Sequence, residues 1–181
     1  MSFLRTILLS FLLFFSLSSA SKYEAMECQV YFSPDDHVAD RLIELIAVER
    51  TQILAAVYCF THKEICKAFI DAKQRGVKVQ LIVDPYSLSS SDTVAKMVDE
   101  GVEVFVWSPR ASGKRAGLMH DKFCILGDDV VWTGSFNFTH PANISHQENV
   151  VVLRSAEVAA SFKKQFELIK TRGCMTHKKA T

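Results

Sequence analysis

Apolar positions recur along the chain with two periods, and each change of period marks a new element. Gln29 to Phe32 reads as a short strand, after which "SPDDHVADRLIELIAVER" shifts to helical spacing, with Val38, Leu42, Leu45 and Ile46 on one face. Ser33 is placed to cap that helix, with Pro34 at its first position and acids in its first turn. "TQILAAVYCF" is a near-continuous apolar run of strand length, the pattern of a strand buried on both faces, and a helix from Lys63 to Arg75 follows, with Gly76 placed to end it. "VKVQLIVD" is the next strand. A turn rich in Pro and Ser then leads to a short helix in "SDTVAKMVDEG", and "VEVFVW" is strand again.

Beyond the loop "SPRASGKRAG" the spacing predicts two strands, Leu118 to Leu126 and Val130 to Thr133, joined by a tight Gly127-Asp128-Asp129 turn. "ENVVVLR" is a further strand, and Ser155 caps a last helix in which Val158, Phe162, Phe166 and Ile169 share a face. The basic end, "THKKAT", reads as a solvated, disordered tail. Strands alternating with helices and closing in a hairpin predict an α/β fold, a mixed sheet flanked by helices, in one domain over residues 21–173 with a basic tail over 174–181.

The first 20 residues stand apart. Arg5 precedes an apolar run from Ile7 to Leu17, and Ser18, Ser19 and Ala20 follow, the layout of a signal peptide cleaved after Ala20 and therefore of a periplasmic or secreted protein. Left uncleaved, the same segment would serve as a marginal membrane anchor. The chain carries 21 basic and 20 acidic residues, and Arg5 accounts for the difference, so contact with nucleic acid or anionic lipid must rest on a local patch. Five cysteines match no zinc spacing; they read as buried apolar side chains, with Cys28–Cys174 or Cys59–Cys66 as disulfides open to an exported chain.

The chemistry gathers in "GLMHDKFCILGDDVVWTGSFNFTH". Side chains two apart on a strand share a face, so His120 and Lys122 emerge together, and a lysine is almost never buried without a partner. Ser135 and Asn137 share a face in the same way, just after a glycine that permits close backbone approach. Imidazole, ammonium, hydroxyl and amide on one pocket suit a phosphate, and Glu148 is placed to orient the imidazole by accepting its second ring proton.

The run His120-Asp-Lys122 followed by Gly134-Ser135-Phe-Asn137 resembles the phospholipase D superfamily, whose signature is His-x-Lys-x4-Asp and then Gly-Ser-x-Asn. "YFSP", "AVYCFTHKEICKAFIDAKQRGVKVQLIVD" and "HQENVVVL" extend the likeness over nearly the whole mature chain, toward the small bacterial periplasmic endonucleases of that superfamily. The resemblance implies a phosphodiester hydrolase in which His120 forms a phosphohistidine, Lys122 and Asn137 bind the non-bridging oxygens, and Ser135 and Glu148 hold the ring in its tautomer. It implies no metal and no cofactor. His-x-Lys followed by Gly-Ser-x-Asn occurs once, which by the same resemblance implies a homodimer with one composite site.

The chain departs from the signature at Gly127, where the family has Asp, and Asp128 is the candidate structural substitute. Arg110, Lys114 and Arg115 in the preceding loop are candidates for binding a nucleic-acid backbone, which favours a nuclease acting on DNA or RNA. A phospholipase D acting on phosphatidylcholine or cardiolipin is the alternative, and an inactive binder of phosphate esters the third reading. Trp107 and Trp132 read as core or interface aromatics.

Overall fold

The protein is described by a computed structural model over residues 26–108 and 117–178. Its elements in chain order are β1 (Glu27–Ser33), α1 (Val38–Val48), β2 (Gln52–Val57), α2 (Lys63–Gln74), β3 (Lys78–Val83), α3 (Pro85–Ser90), α4 (Thr93–Asp99) and β4 (Glu103–Trp107). There follow β5 (Lys122–Leu126), β6 (Val130–Gly134), α5 (His140–Ile144), β7 (Glu148–Arg154), α6 (Ala156–Gly173) and β8 (Cys174–His177). The strands form one mixed sheet in the order β1-β7-β6-β5-β2-β3-β4-β8, with β2, β3 and β4 parallel and the other pairings antiparallel.

Both faces of this sheet are covered, which is why β2 is apolar from Ile53 to Val57 and β3 from Leu81 to Val83. Ile53, Ala55 and Val57 of β2 face a core shared with α1, α2 and α4, while Leu54 and Ala56 face the other way toward Phe166 and Ile169 of α6. Phe162 packs edge-on against Phe123 of β5 at 5.1 Å, so the apolar face expected of the last helix is the one that seats it. Ser155 accepts the Val158 N–H at 3.3 Å and caps that helix as expected.

Helix α5, which Thr139 caps by accepting the Ala142 N–H at 3.3 Å, has no counterpart in the sequence expectation, and four further features differ from it. Ser33 closes β1 instead of capping α1: the Asp36 carboxylate accepts the Phe32 N–H at 2.7 Å and the Asp36 N–H returns to the Phe32 carbonyl at 2.9 Å, closing a turn that delays the helix to Val38. The Pro- and Ser-rich turn contains α3, capped by Asp84, whose carboxylate accepts the Tyr86 N–H at 3.0 Å. The strand expected over Leu118–Leu126 pairs only from Lys122, because β2 ends at Val57, the partner of Lys122. The tail is ordered through His177: Cys174–His177 pairs with β4 and covers an edge that would otherwise be open.

All five cysteines are free. Cys28 lies on β1 and Cys174 on β8, the two opposite edges of the sheet, so seven interstrand spacings of about 4.8 Å each exclude a bond between them within one chain. The leader lies outside the described residues, and within them no helix is long and apolar enough to cross a membrane.

Candidate active site

Strand register gathers the polar residues at one end of the sheet. Val57 pairs with Lys122 on one side and Val83 on the other, and Gly134 pairs with Val150, so β2, β3, β5, β6 and β7 present their ends along one rim. His120 and Asp121 lie just before β5, Ser135 and Asn137 just after β6, Glu148 opens β7, and Tyr58 and Asp84 follow β2 and β3.

His120 is exposed on this rim, and the Lys122 Nζ lies 3.3 Å from its Nδ1 while donating to its backbone carbonyl at 2.8 Å. The ammonium also sits over the Tyr58 ring, 5.4 Å from its centroid. Burial pulls the Lys122 pKa below the ordinary lysine value, and the negative charges of Glu148 and Asp121 offset part of that. A protonated Lys122 beside Nδ1 places a donor, not an acceptor, against that ring nitrogen.

Ser135 and Glu148 are coupled directly. The Ser135 hydroxyl donates to the Glu148 carboxylate and accepts the Asn149 N–H at 3.0 Å, and the Ser135 N–H donates to the Asn149 carbonyl at 3.0 Å. The other carboxylate oxygen of Glu148 is 3.8 Å from His146 Nδ1. Within one chain, then, Glu148 is engaged by Ser135 and His146, and His120 Nδ1 by Lys122. Gly134 is what lets β6 and β7 meet here: a Cβ at this position would stand 2.0 Å from the Asn149 carbonyl oxygen. Asn137 Oδ1 accepts the Cys59 N–H at 3.3 Å, which leaves the amide NH2 as a free donor.

Asp128 is elsewhere. It lies in the β5–β6 turn at the far end of β5 from Lys122, where its carboxylate accepts from Lys163 of α6 and from Gln52 of β2 at 2.9 Å. It ties the hairpin to the body of the fold and does not reach the rim. Gly127 beside it has φ +62°, and a Cβ there would meet the Glu49 carboxylate at 3.1 Å, so the turn itself selects glycine. Arg110, Lys114 and Arg115 lie outside the described residues.

Two residues at the rim carry no motif. Asp84 is buried, and besides capping Tyr86 its carboxylate accepts the Met119 N–H at 3.1 Å, fixing the segment that delivers His120. Tyr58 packs against the His120 ring at a centroid distance of 4.7 Å. A cavity of about 460 Å³ is bordered by Trp107, Met119, His120, Asp121 and Gln165, and another of about 310 Å³ by Tyr58, Tyr86 and Asn137. Trp107 is held there by donating its ring N–H to the Gly117 carbonyl at 2.8 Å, whereas Trp132 is buried core.

An exposed imidazole beside an ammonium, with hydroxyl, amide and carboxylate at the same rim of a mixed α/β sheet, is the set of groups a phosphodiester hydrolase uses, and residues 42–170 match the family model described as "Cardiolipin synthase, PLD-like domain". The chain belongs to this phospholipase D-like family and is a phosphodiester hydrolase. Among its relatives, a phospholipase D of Rickettsia bellii is 30% identical over 149 residues, covering 82% of this chain and 70% of that protein. A mitochondrial cardiolipin hydrolase of Xenopus tropicalis is 25% identical over 146 residues, covering 80% and 67%. Among solved structures, Nuc of Salmonella typhimurium, a phospholipase D family member, is similar with a TM-score of 0.75 and 27% identity over 85% of this chain and 99% of that one.

Proposed function

We propose that the protein is an exported, homodimeric endonuclease that cleaves DNA or RNA through a phosphohistidine on His120. The observation that carries the reading is the rim itself: an exposed His120 beside Lys122, with Ser135, Asn137 and Glu148 delivered to the same end of the sheet. His120 Nε2 attacks phosphorus and the leaving oxygen departs as an alcohol, protonated by His120 of a second copy. That second imidazole then takes a proton from water, which attacks the phosphohistidine and releases the phosphate monoester. Lys122 and Asn137 donate to the non-bridging oxygens as negative charge builds on them.

Attack by Nε2 needs its lone pair free, hence the ring proton on Nδ1 and an acceptor beside it. In one chain Nδ1 faces the Lys122 ammonium and Glu148 is engaged by Ser135, so the Nδ1 side of the ring meets a donor where the nucleophilic form needs an acceptor. The carboxylate–imidazole contact of the nucleophilic form belongs to the composite site. The chain's match over 99% of Nuc favours the nuclease reading. The relatives named phospholipase D and cardiolipin hydrolase make hydrolysis of phosphatidylcholine or cardiolipin the second reading.

Incubation of the mature protein with DNA, RNA and phospholipid vesicles in EDTA distinguishes the substrates. Nucleic-acid cleavage that His120→Ala abolishes is expected; cleavage of vesicles alone refutes the nuclease. Equal mixing of wild-type and His120→Ala subunits tests the composite site: activity falls to about one quarter when both subunits must be intact, and to about one half when each chain works alone.

A further inference from the structure

Two tyrosines outside the motif form an aromatic path away from His120. Tyr58 packs on the His120 ring at 4.7 Å, and the Tyr86 ring lies parallel to that of Tyr58, within 3° and 5.4 Å centroid to centroid. Tyr86 keeps 52% of its surface in solvent. The pair is held rigidly from behind, because the Ser87 hydroxyl donates to the Tyr58 carbonyl at 2.9 Å and accepts the Phe60 N–H at 3.1 Å, while Asp84 caps Tyr86. Beside the rings, the cavity of about 310 Å³ is edged by Ser90, Asn137, Thr139 and His146, groups that can hydrogen-bond a planar polar ligand.

We infer that Tyr58 and Tyr86 form a stacking subsite for a base next to the scissile phosphate, which assigns single-stranded nucleic acid as the substrate; the inference rests on the nuclease reading. Flat rings accept any base by its face, and only a base outside a duplex can reach them. A quaternary ammonium headgroup is disfavoured: the two rings are parallel and do not surround a cation, and Lys122 already places a positive charge over Tyr58. Asn137 at the cavity edge binds the phosphate oxygens in the same mechanism, so base and phosphate are held side by side.

The test is steady-state kinetics on a single-stranded oligonucleotide and on the same strand with abasic sites flanking the cleaved bond, using Tyr86→Phe, Tyr86→Ala and Tyr86→Leu. Loss of one stacked base predicts a rise in KM of about 5- to 150-fold for Tyr86→Ala and Tyr86→Leu on the intact strand, with Tyr86→Phe within about twofold of wild type. On the abasic strand wild type already shows the raised KM, and Tyr86→Ala adds nothing. If wild type cleaves the strand and Tyr86→Ala leaves KM unchanged, or if Tyr86→Leu restores it, the subsite is wrong and the nuclease reading survives. If wild type hydrolyses only phospholipid vesicles, both fall.

Discussion

Replacing Gly134 by alanine tests whether the β6–β7 contact holds the site together. The added Cβ would stand 2.0 Å from the Asn149 carbonyl oxygen and 2.9 Å from both Asn149 C and Val150 Cα, all backbone atoms with no rotamer to escape through. The strands must therefore part by about 1 Å or more at this point, at a cost of about 1–3 kcal/mol as for other overpacked positions. Parting strains the two bonds that Ser135 makes to Asn149, each 3.0 Å long and each worth about 0.5–1.5 kcal/mol net, toward the low end because the serine is exposed. Alanine returns about 0.4–1 kcal/mol by restricting the unfolded chain, which leaves a net loss of about 1–4 kcal/mol.

The same movement carries Ser135 away from Glu148, so on the proposed mechanism kcat falls by about 10- to 100-fold, as expected when a positioning contact shifts by an ångström. Urea unfolding gives the first quantity and turnover of bis(p-nitrophenyl) phosphate the second. Ser135→Ala serves as the control, removing the hydroxyl without moving the strands. A Gly134→Ala protein with wild-type stability and wild-type kcat would refute the close-approach argument.

Further outcomes follow from the same geometry. Asp84→Asn turns one of two acceptors into a donor facing the N–H of Met119 or Tyr86, and should cost about 1–3 kcal/mol in urea unfolding and lower kcat by releasing the segment before His120. Activity should fall with rising pH as Lys122 loses its proton, and because burial depresses its pKa the alkaline limb should lie below the ordinary lysine value of 10.5 in a kcat/KM profile. Gly127→Asp should not rescue the departure from the family signature. A left-handed φ of +62° and a second carboxylate beside Glu49 should cost about 1–3 kcal/mol in a thermal melt, with kcat unchanged because the turn is at the far end of β5.

Local pattern by itself determined seven of the eight strands and most helices, because burial on both faces leaves continuous apolar runs such as Ile53–Val57, and burial on one face leaves the spacing of Val158, Phe162, Phe166 and Ile169. The spacing of His120, Lys122, Ser135, Asn137 and Glu148 likewise carried the candidate chemistry, since residue type and alternation are local properties. Helices α3 and α5 were hidden because "PYSLSS" and "HPANI" have turn composition; caps from Asp84 and Thr139, and for α3 the bonds of Ser87, Ser89 and Ser90, hold them helical. The tail's last strand was hidden because its pairing partner, β4, lies some 70 residues back in the chain.

Tertiary structure alone decided which residues surround the histidine. Tyr58, Asp84 and Tyr86 carry no signature; Tyr58 meets His120, Tyr86 meets Tyr58 and Asp84 bonds the Met119 N–H because β5 inserts beside β2 and β2 beside β3, which brings three chain-distant strand ends to one rim. Sheet order is a long-range choice made by packing and loop closure, so no window of sequence contains it.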